Sequence, residues 1–257
     1  MQSGAIRPIP NMLPRKLFTS EHEAFRETVR KFYEKEVVPN IEKYEKQQHV
    51  DRDLWNKAGE LGLLCTTMPE QYGGSGVDRL YSMILIEEQA YAMDSSTGFS
   101  LHSDIVANYI NNFGNEEQKQ KWLPKMATGE TVTAIAMTEP GTGSDLQAVR
   151  TTAALDGDEY VINGSKIFIT NGYLCDMAIV VCKTGNNEKG SANLSLIIVE
   201  ADRAGFSKGK PLNKIGMKGQ DTCELFFDNV RVPKENLLGM EGMGFIMLMK
   251  ELAWERM

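Results

Sequence analysis

The fold is decided by the stretch TVTAIAMTEPGTGSDLQAVRTTAALDGDEYVINGSKIFITNG, residues 131–172. Short runs of β-branched and aromatic residues alternate here with turn dipeptides, which is typical of β-strands joined by tight turns. The dipeptide Asn163-Gly164 between two apolar runs indicates a hairpin. Similar runs continue to Phe227, so we predict a middle antiparallel β-barrel or sandwich domain over residues 130–236. The predicted strands are 131–137, 149–155, 160–162, 166–170, 177–183, 194–200 and 224–227.

Residues 19–129, upstream of this stretch, carry helical signals and are predicted to form an all-α N-terminal domain. Ser20 and Glu23 fit a capping box, and apolar residues then recur at helical spacing as far as Pro39. Asn115 is predicted to cap the last helix of this domain. Residues 1–18 are predicted to be an N-terminal extension.

Residues 237–257, downstream of the stretch, are predicted to form a helix with Phe245, Leu248, Met249 and Leu252 on one face. A helix with so apolar a face needs a partner to cover it. Because the sequence ends within this helix, we expect it to be the first helix of a missing C-terminal helical domain. The predicted fold class is therefore α+β.

The composition narrows the classes of function. The 257 residues are 42% hydrophobic and 25% charged, with a formal net charge of −7. The acidic balance argues against nucleic-acid binding, and no apolar run reaches the ~20 residues of a membrane-spanning helix. The three histidines are far apart and form no recognisable metal motif, so no metal site is expected. The four cysteines show no CxxC pair, which favours a reducing compartment.

Two segments of the predicted β-domain contain candidate chemistry. In the segment 136–145, Gly141 and Gly143 would let backbone N–H groups approach an anion such as a pyrophosphate. The alternative is a plain turn between strands. In the segment 164–172, Phe168 and Thr170 would share one face of a strand and could cradle the edge of a planar ring. The alternative is a core Phe with an outward Thr.

A third candidate lies near the end of the chain. Glu251 and Glu255 are one helical turn apart, so both can face the same way. A glutamate shielded from water beside Trp254 would have a raised pKa and could act as a base near neutral pH. The alternative is an exposed helix face. The run His102-Ser103-Asp104 is not taken as a triad, because consecutive helical side chains point in different directions.

Several motifs in one order resemble the acyl-CoA dehydrogenase family, over essentially residues 18–257. The nearest resemblance is to the long-chain type, and the isovaleryl type is next. The motifs are PEQYGGSG (69–76), the Glu-Glu-Gln-Lys and Trp-Leu-Pro of 114–125, MTEPGTGSD (137–145), NGSKIFITNG (163–172), Gly205-Phe206, KIGMK (214–218), DTCELFF (221–227), residues 230–239 and KELAWERM (250–257).

The resemblance implies an FAD enzyme that oxidises a fatty acyl-CoA, of medium or long chain, to trans-2-enoyl-CoA in fatty acid β-oxidation. In this family a carboxylate removes the α-proton while flavin N5 takes the β-hydride. The expected partners are the acyl-CoA and an electron-transfer flavoprotein, and the expected assembly is a homotetramer. The compartment would be the bacterial cytoplasm or the mitochondrial matrix.

The resemblance also assigns roles to residues. Glu255 would be the catalytic base, in a Glu-Arg-Met context where relatives of these types have Glu-Arg-Leu. Phe168 stands where many relatives carry Trp, so its aromatic role would persist with less area. The expected cofactor-binding residues are Ala136, Met137, Thr138, Gly143, Ser144, Phe168, Ile169 and Thr170. The expected substrate-binding residues are Ser144, Ser191, Ala192, Ala253, Trp254 and Arg256.

Three alternatives stay open at this point. One is a branched short-chain dehydrogenase of the isovaleryl type. Another is an oxidase-like relative that passes electrons to O₂. The third is a non-catalytic fragment that binds acyl-CoA or a protein partner and reduces no flavin.

Overall fold

The N-terminal part of the chain is helical, as the sequence predicts. The computed structural model describes residues 15–185 and 193–256, so the predicted substrate residues Ser191 and Ala192 lie outside the described residues. Two turns of π-helix, Tyr33–Val37 and Leu101–Val106, interrupt or precede the α-helices. The α-helices are α1 Ser20–Phe32, α2 Ile41–Gln47, α3 Arg52–Glu60, α4 Leu80–Tyr91, α5 Ala107–Phe113, α6 Glu116–Ala127 and α7 Gly244–Glu255.

The helix starts are set by capping boxes at two places. The box at α1 uses Thr19 and His22, so the predicted pair of Ser20 and Glu23 is wrong by one residue. The reason is that an imidazole nitrogen of His22 can accept the backbone N–H of Thr19, as a glutamate would. At α6, Asn115 is the cap as predicted, and its side chain accepts from the backbone of Gln118 at 2.8 Å. Among the described residues, no helix is both long enough and apolar enough to cross a membrane.

Replacing the α6 cap tests this local assignment. An Asn115→Ala variant is expected to lose about 1 kcal/mol of unfolding free energy, because a backbone N–H of the first turn loses its acceptor. Chemical denaturation followed by circular dichroism measures the loss. Gln120→Ala is the matched control, since this exposed residue of the same helix donates to Glu116 within the helix. Its loss is expected to cost roughly a few tenths of a kcal/mol. Equal losses in the two variants would contradict the cap.

The middle part of the chain forms one mixed sheet. Its strands are β1 Thr133–Ala136, β2 Thr152–Asp156, β3 Glu159–Thr170, β4 Met177–Lys183, β5 Leu194–Glu200, β6 Phe206–Lys208, β7 Thr222–Pro233 and β8 Leu237–Leu238. Their order in the sheet is β6-β7-β3-β2-β4-β5-β8, and β1 lies beside β4. Most pairings are antiparallel, but β1 pairs with β4 in parallel and β2 touches β4 in parallel at one position. The α+β class is thus confirmed, whereas the sheet is neither wholly antiparallel nor, in the described residues, a closed barrel. Two strands separate β1 from β4 along the chain, and such long connections allow parallel neighbours.

The hairpin predicted at Asn163-Gly164 is wrong, because β3 runs unbroken through it. Gly164 instead lies in a register shift of the β3–β7 pairing, with a φ of 150°. A Cβ there would lie 2.5 Å from Oγ1 of Thr151. Only glycine therefore fits where the segment that contains Thr151 passes so close to β3. The hairpin turn lies earlier, where Asp156 pairs with Glu159 around Gly157.

Two apolar cores lie on opposite faces of the central strands. On β4, Ala178, Val180 and Cys182 belong to a core built from sheet residues and from Cys175 in the turn before β4. The intervening Met177, Ile179 and Val181 belong to a second core shared with α5, α6 and α7. This two-sided burial explains why β4 reads as a continuous apolar run.

The predicted apolar face of α7 is partly wrong. The helix buries Met247, Leu248 and Glu251, whereas Met249 is 43% exposed. The buried side rests on β5, α5 and the π-helical turn before α5. Because the buried side of the helix includes a glutamate, it differs from the side that apolar periodicity alone predicts.

Candidate active site

The loop after β1 and the end of β3 lie directly against each other. The backbone N–H of Ile167 donates to the carbonyl of Thr138 at 2.9 Å. The ammonium of Lys166 donates to the carbonyl of Met137 at 3.1 Å. The structure therefore brings together Met137, Thr138 and Phe168, three of the residues expected to hold a cofactor.

Phe168 is an exposed aromatic side chain in an unusual backbone conformation. It is 63% exposed and has a φ of +61°. It lies where the β3–β7 register shifts between Lys166 and Ile169. Such a bulge disturbs the alternation of side chains, so alternation alone does not place Phe168 and Thr170 on one face, and their shared face stays a prediction. Left-handed backbone costs a bulky residue about 1–3 kcal/mol, and such strain clusters at functional sites.

The other expected cofactor residues differ in what they can offer. The side chains of Ala136 and Ile169 are buried in the sheet core, so these two residues can offer only backbone atoms. Thr138 and Thr170 are half-buried, while Gly143 and Ser144 are exposed. A Cβ added at Gly143 would meet no atom within 4 Å, so the loop stands open to a ligand at this point.

A buried ion pair holds this loop in place. The ammonium of Lys166 lies 2.9 Å from a carboxylate oxygen of Glu139, and both side chains are almost wholly buried. The backbone N–H groups of Arg150 and Thr151 also donate to that carboxylate, at 2.6 and 2.9 Å. Burial alone would raise the pKa of Glu139, but the hydrogen bonds from Thr151 and Lys166 outweigh it and lower the pKa.

The expected base, Glu255, lies in a partly buried environment at the end of α7. The hydroxyl of the buried Tyr109 donates to Oε1 of Glu255 at 2.9 Å. Burial raises the pKa of Glu255, and the nearby charge of Glu251 adds to this effect. The Tyr109 hydrogen bond and Arg256 act in the opposite direction. The net result is a carboxylate more basic than an ordinary glutamate.

The residues beside Glu255 divide into anchored and exposed side chains. The indole N–H of Trp254 donates to the carbonyl of Asp104 at 3.0 Å. The guanidinium carbon of Arg79 lies 3.6 Å from the centre of the Trp254 ring, a close cation–π contact. Ala253 and Arg256, also expected to bind substrate, are exposed.

The helical segment 101–113 connects Glu255 with the loop after β1. His102 accepts the backbone N–H of Thr133 in β1 at 3.2 Å, and Tyr109 of the same segment binds Glu255. Met137 packs against the core to which Tyr109 belongs. The two halves of the expected site thus contact one continuous helical segment.

The run His102-Ser103-Asp104 forms no triad, because each side chain is bonded to a different element. His102 is wholly buried, and burial lowers its pKa to about 4. Besides Thr133, His102 is hydrogen-bonded to the carbonyl of Met126. Ser103 accepts the backbone N–H of Cys65, and Asp104 accepts the hydroxyl of Ser82.

Sequence reasoning missed two features of the site. A lysine within the apolar run of β3 was a usable signal, since a buried lysine needs a paired anion. The hydrogen bond from Tyr109 to Glu255 joins residues 146 positions apart and has no local signal.

Comparison with known protein families identifies the family to which the chain belongs. Residues 19–130 match the family model for the N-terminal domain of acyl-CoA dehydrogenases, and residues 134–230 match the model for the middle domain. The chain belongs to the acyl-CoA dehydrogenase family. The resemblance inferred from the sequence motifs is confirmed.

Individual acyl-CoA dehydrogenases are similar over most of the chain. The mitochondrial long-chain specific acyl-CoA dehydrogenase of Sus scrofa is 50% identical over 258 residues, which cover 100% of this chain and 60% of that protein. The acyl-CoA dehydrogenase structure from Geobacillus kaustophilus has a TM-score of 0.92 and 49% identity, covering 95% of this chain and 64% of that one. The Bacillus anthracis acyl-CoA dehydrogenase complexed with FAD has a TM-score of 0.86 and 38% identity, covering 98% and 44%. The chain thus spans about 60% of the length of the curated relative it matches.

Proposed function

We propose that the protein is an FAD-dependent acyl-CoA dehydrogenase that converts a medium- or long-chain fatty acyl-CoA to its trans-2-enoyl-CoA. The observation that carries the proposal is the exposed aromatic platform of Phe168, bonded through β3 to the loop that contains Met137 and Thr138. The similarity to long-chain acyl-CoA dehydrogenases supports the same conclusion.

The residues of the loop and the β3 bulge fit an isoalloxazine ring and a pyrophosphate. Phe168 offers an exposed aromatic face for stacking, and Thr138 and Thr170 offer hydroxyls for the ring edge. Gly143 and Ser144 offer open backbone and a hydroxyl, which suit phosphate oxygens. FAD bound there would supply the two-electron acceptor for the reaction.

Glu255 would remove the α-proton of the acyl thioester. A base must be ionised yet basic enough to take a proton, and burial moves Glu255 in that direction from the ordinary glutamate pKa of about 4.3. Tyr109 holds one carboxylate oxygen and so fixes its orientation. Ser144, Ala253, Trp254 and Arg256, with Ser191 and Ala192, are proposed to line the thioester and CoA path.

We further propose that the electrons pass from the protein to an electron-transfer flavoprotein and that the protein assembles as a homotetramer. The family resemblance is the support for both statements. Measuring oxidation of the reduced protein by an electron-transfer flavoprotein and by O₂ separates the dehydrogenase from an oxidase.

Binding of FAD to Phe168 variants tests the proposed flavin platform. Phe168→Ala is expected to weaken FAD binding about tenfold, since loss of one stacking contact costs roughly 1–3 kcal/mol. Quenching of flavin fluorescence on titration with protein measures the dissociation constant, and Phe168→Tyr should bind as the parent does.

Phe226→Ala is the matched control for that titration, because Phe226 is another exposed aromatic on the same sheet, in β7. It should leave FAD affinity unchanged. Equal affinities for the parent and Phe168→Ala would contradict the assignment of the platform.

A further inference from the structure

Two residues of α5 face two carboxylates of α7 in matched register. Tyr109 and Asn112 are three positions apart on α5, and Glu255 and Glu251 are four positions apart on α7. The hydroxyl of Tyr109 donates to Glu255 at 2.9 Å, and the amide of Asn112 donates to Glu251 at 2.8 Å. Residues at these spacings share one side of a helix, so the pairs form a two-rung polar ladder.

Tyr109 is suited to a permanent donor role. Its side chain is wholly buried, and a buried hydroxyl is costly unless it is hydrogen-bonded. Burial and the neighbouring carboxylates raise the pKa of Tyr109 far above its ordinary value, so the hydroxyl keeps its proton. The hydrogen bond therefore favours the ionised form of Glu255.

Glu251 acts on Glu255 in the opposite direction. It lies one helical turn away and is only 7% exposed, so water screens its charge poorly. Its negative charge disfavours a second negative charge on Glu255. Asn112 holds one oxygen of Glu251 and so fixes where this charge lies.

The turn that contains Glu255 is pinned at the preceding residue. Trp254 lies against the Arg79 guanidinium and donates to the Asp104 carbonyl, so α7 cannot easily rotate about its axis. Arg256, next to Glu255, favours ionisation of Glu255, and Lys250 of α7 is exposed. The charged groups on the other packed elements have partners of their own: Asp104 with Ser82, His102 with Met126 and Thr133, and Glu200 of β5 with Lys121 and Arg203.

We propose that Tyr109 and Glu251 are positioning residues that set the basicity of Glu255 with opposite signs. Tyr109 holds the ionised carboxylate, and Glu251 keeps that carboxylate basic enough to take a proton. The catalytic meaning of this ladder rests on the proposed function, whereas the ladder itself is a property of the chain.

Titration of Glu255 by carbon-13 NMR tests the proposal without FAD or substrate. The protein is labelled at the glutamate side-chain carboxyl carbons, and the resonance missing from Glu255→Gln identifies residue 255. Tyr109→Phe is expected to raise the midpoint of the Glu255 titration by about one pH unit, the size of a charge-assisted hydrogen bond. Glu251→Gln is expected to lower it by roughly half a unit or more.

Tyr160→Phe is the matched control, because its hydroxyl also donates to a glutamate, Glu241, while Tyr160 belongs to the core that does not contain Tyr109. It should leave the midpoint of Glu255 unchanged. The proposal is overturned if the midpoint of the Glu255 titration is unchanged in a folded Tyr109→Phe variant. It is also overturned if that midpoint rises in Glu251→Gln. If Tyr109→Phe does not fold, the sign of the Glu251→Gln shift decides alone.

The FAD-loaded protein separates this proposal from the proposed function. If Glu255→Gln retains full acyl-CoA oxidation, Glu255 is not the base and the proposed mechanism fails, while the titration shifts still stand. If Glu255→Gln is inactive but neither neighbour moves the titration, the positioning proposal alone fails.

Discussion

A Glu255→Gln variant of the FAD-loaded protein is expected to lose acyl-CoA-dependent flavin reduction by roughly 10³-fold, the range for removal of a general base. Glutamine has the size of glutamate and can still accept the Tyr109 hydrogen bond, but it cannot take a proton. FAD and acyl-CoA should still bind, because neither the loop after β1 nor the β3 bulge is altered. Stopped-flow measurement of flavin absorbance under anaerobic conditions gives the rate.

Glu235→Gln is the control for this experiment. Glu235 is an exposed glutamate in the short 3₁₀ turn after β7, and its loss should leave the rate unchanged. Flavin reduction at the parent rate in Glu255→Gln would show that another group removes the proton.

The second large effect is expected at the buried ion pair beneath the loop. A Lys166→Met variant should lose about 3–5 kcal/mol of unfolding free energy, because it leaves the Glu139 carboxylate buried without its cation. The loop after β1 should also loosen, since the Met137 carbonyl loses its donor. Denaturant unfolding gives the first result, and a weaker FAD dissociation constant gives the second.

Lys234→Met provides the matched comparison, because Lys234 pairs with Asp158 at the surface, where both side chains are more than half exposed. An exposed pair is worth at most about 1 kcal/mol. Losses of similar size in Lys166→Met and Lys234→Met would mean that the buried pair does not anchor the loop. Burial lowers the pKa of Lys166, and the Glu139 charge works against that effect, so Glu139→Gln should also destabilise the fold.

Features with a local signal could be predicted from the sequence. The start of α6 follows from Asn115, and β4 and β5 follow from apolar runs of strand length. In each case the signal lies within a few residues and agrees with the tertiary contacts.

Features that depend on contacts between distant segments could not be predicted in this way. The Asn163-Gly164 signal for a hairpin was overridden because β7 pairs along almost the whole of β3. The face of α7 that is buried depends on Glu251, whose polar partner Asn112 lies far away in sequence. Local periodicity counts such a glutamate as an exposed residue.

The candidate site shows the same division. Met137, Thr138 and Phe168 were expected from motifs, and the structure bonds Met137 and Thr138 to the two residues that precede Phe168. The exposure of Phe168 comes from a bulge. The raised pKa of Glu255 comes from burial, with the charge of Glu251 adding to it and the Tyr109 hydrogen bond opposing it. Neither feature has a sequence pattern of its own, because each arises from packing between elements.

Anaerobic titration of the FAD-loaded protein with acyl-CoA thioesters of graded chain length tests the central claim most directly. The account predicts that the flavin absorbance bleaches, most completely with a medium- or long-chain saturated thioester, and that the enoyl-CoA product appears in equal amount. Tight binding of these thioesters with an unbleached flavin would contradict it.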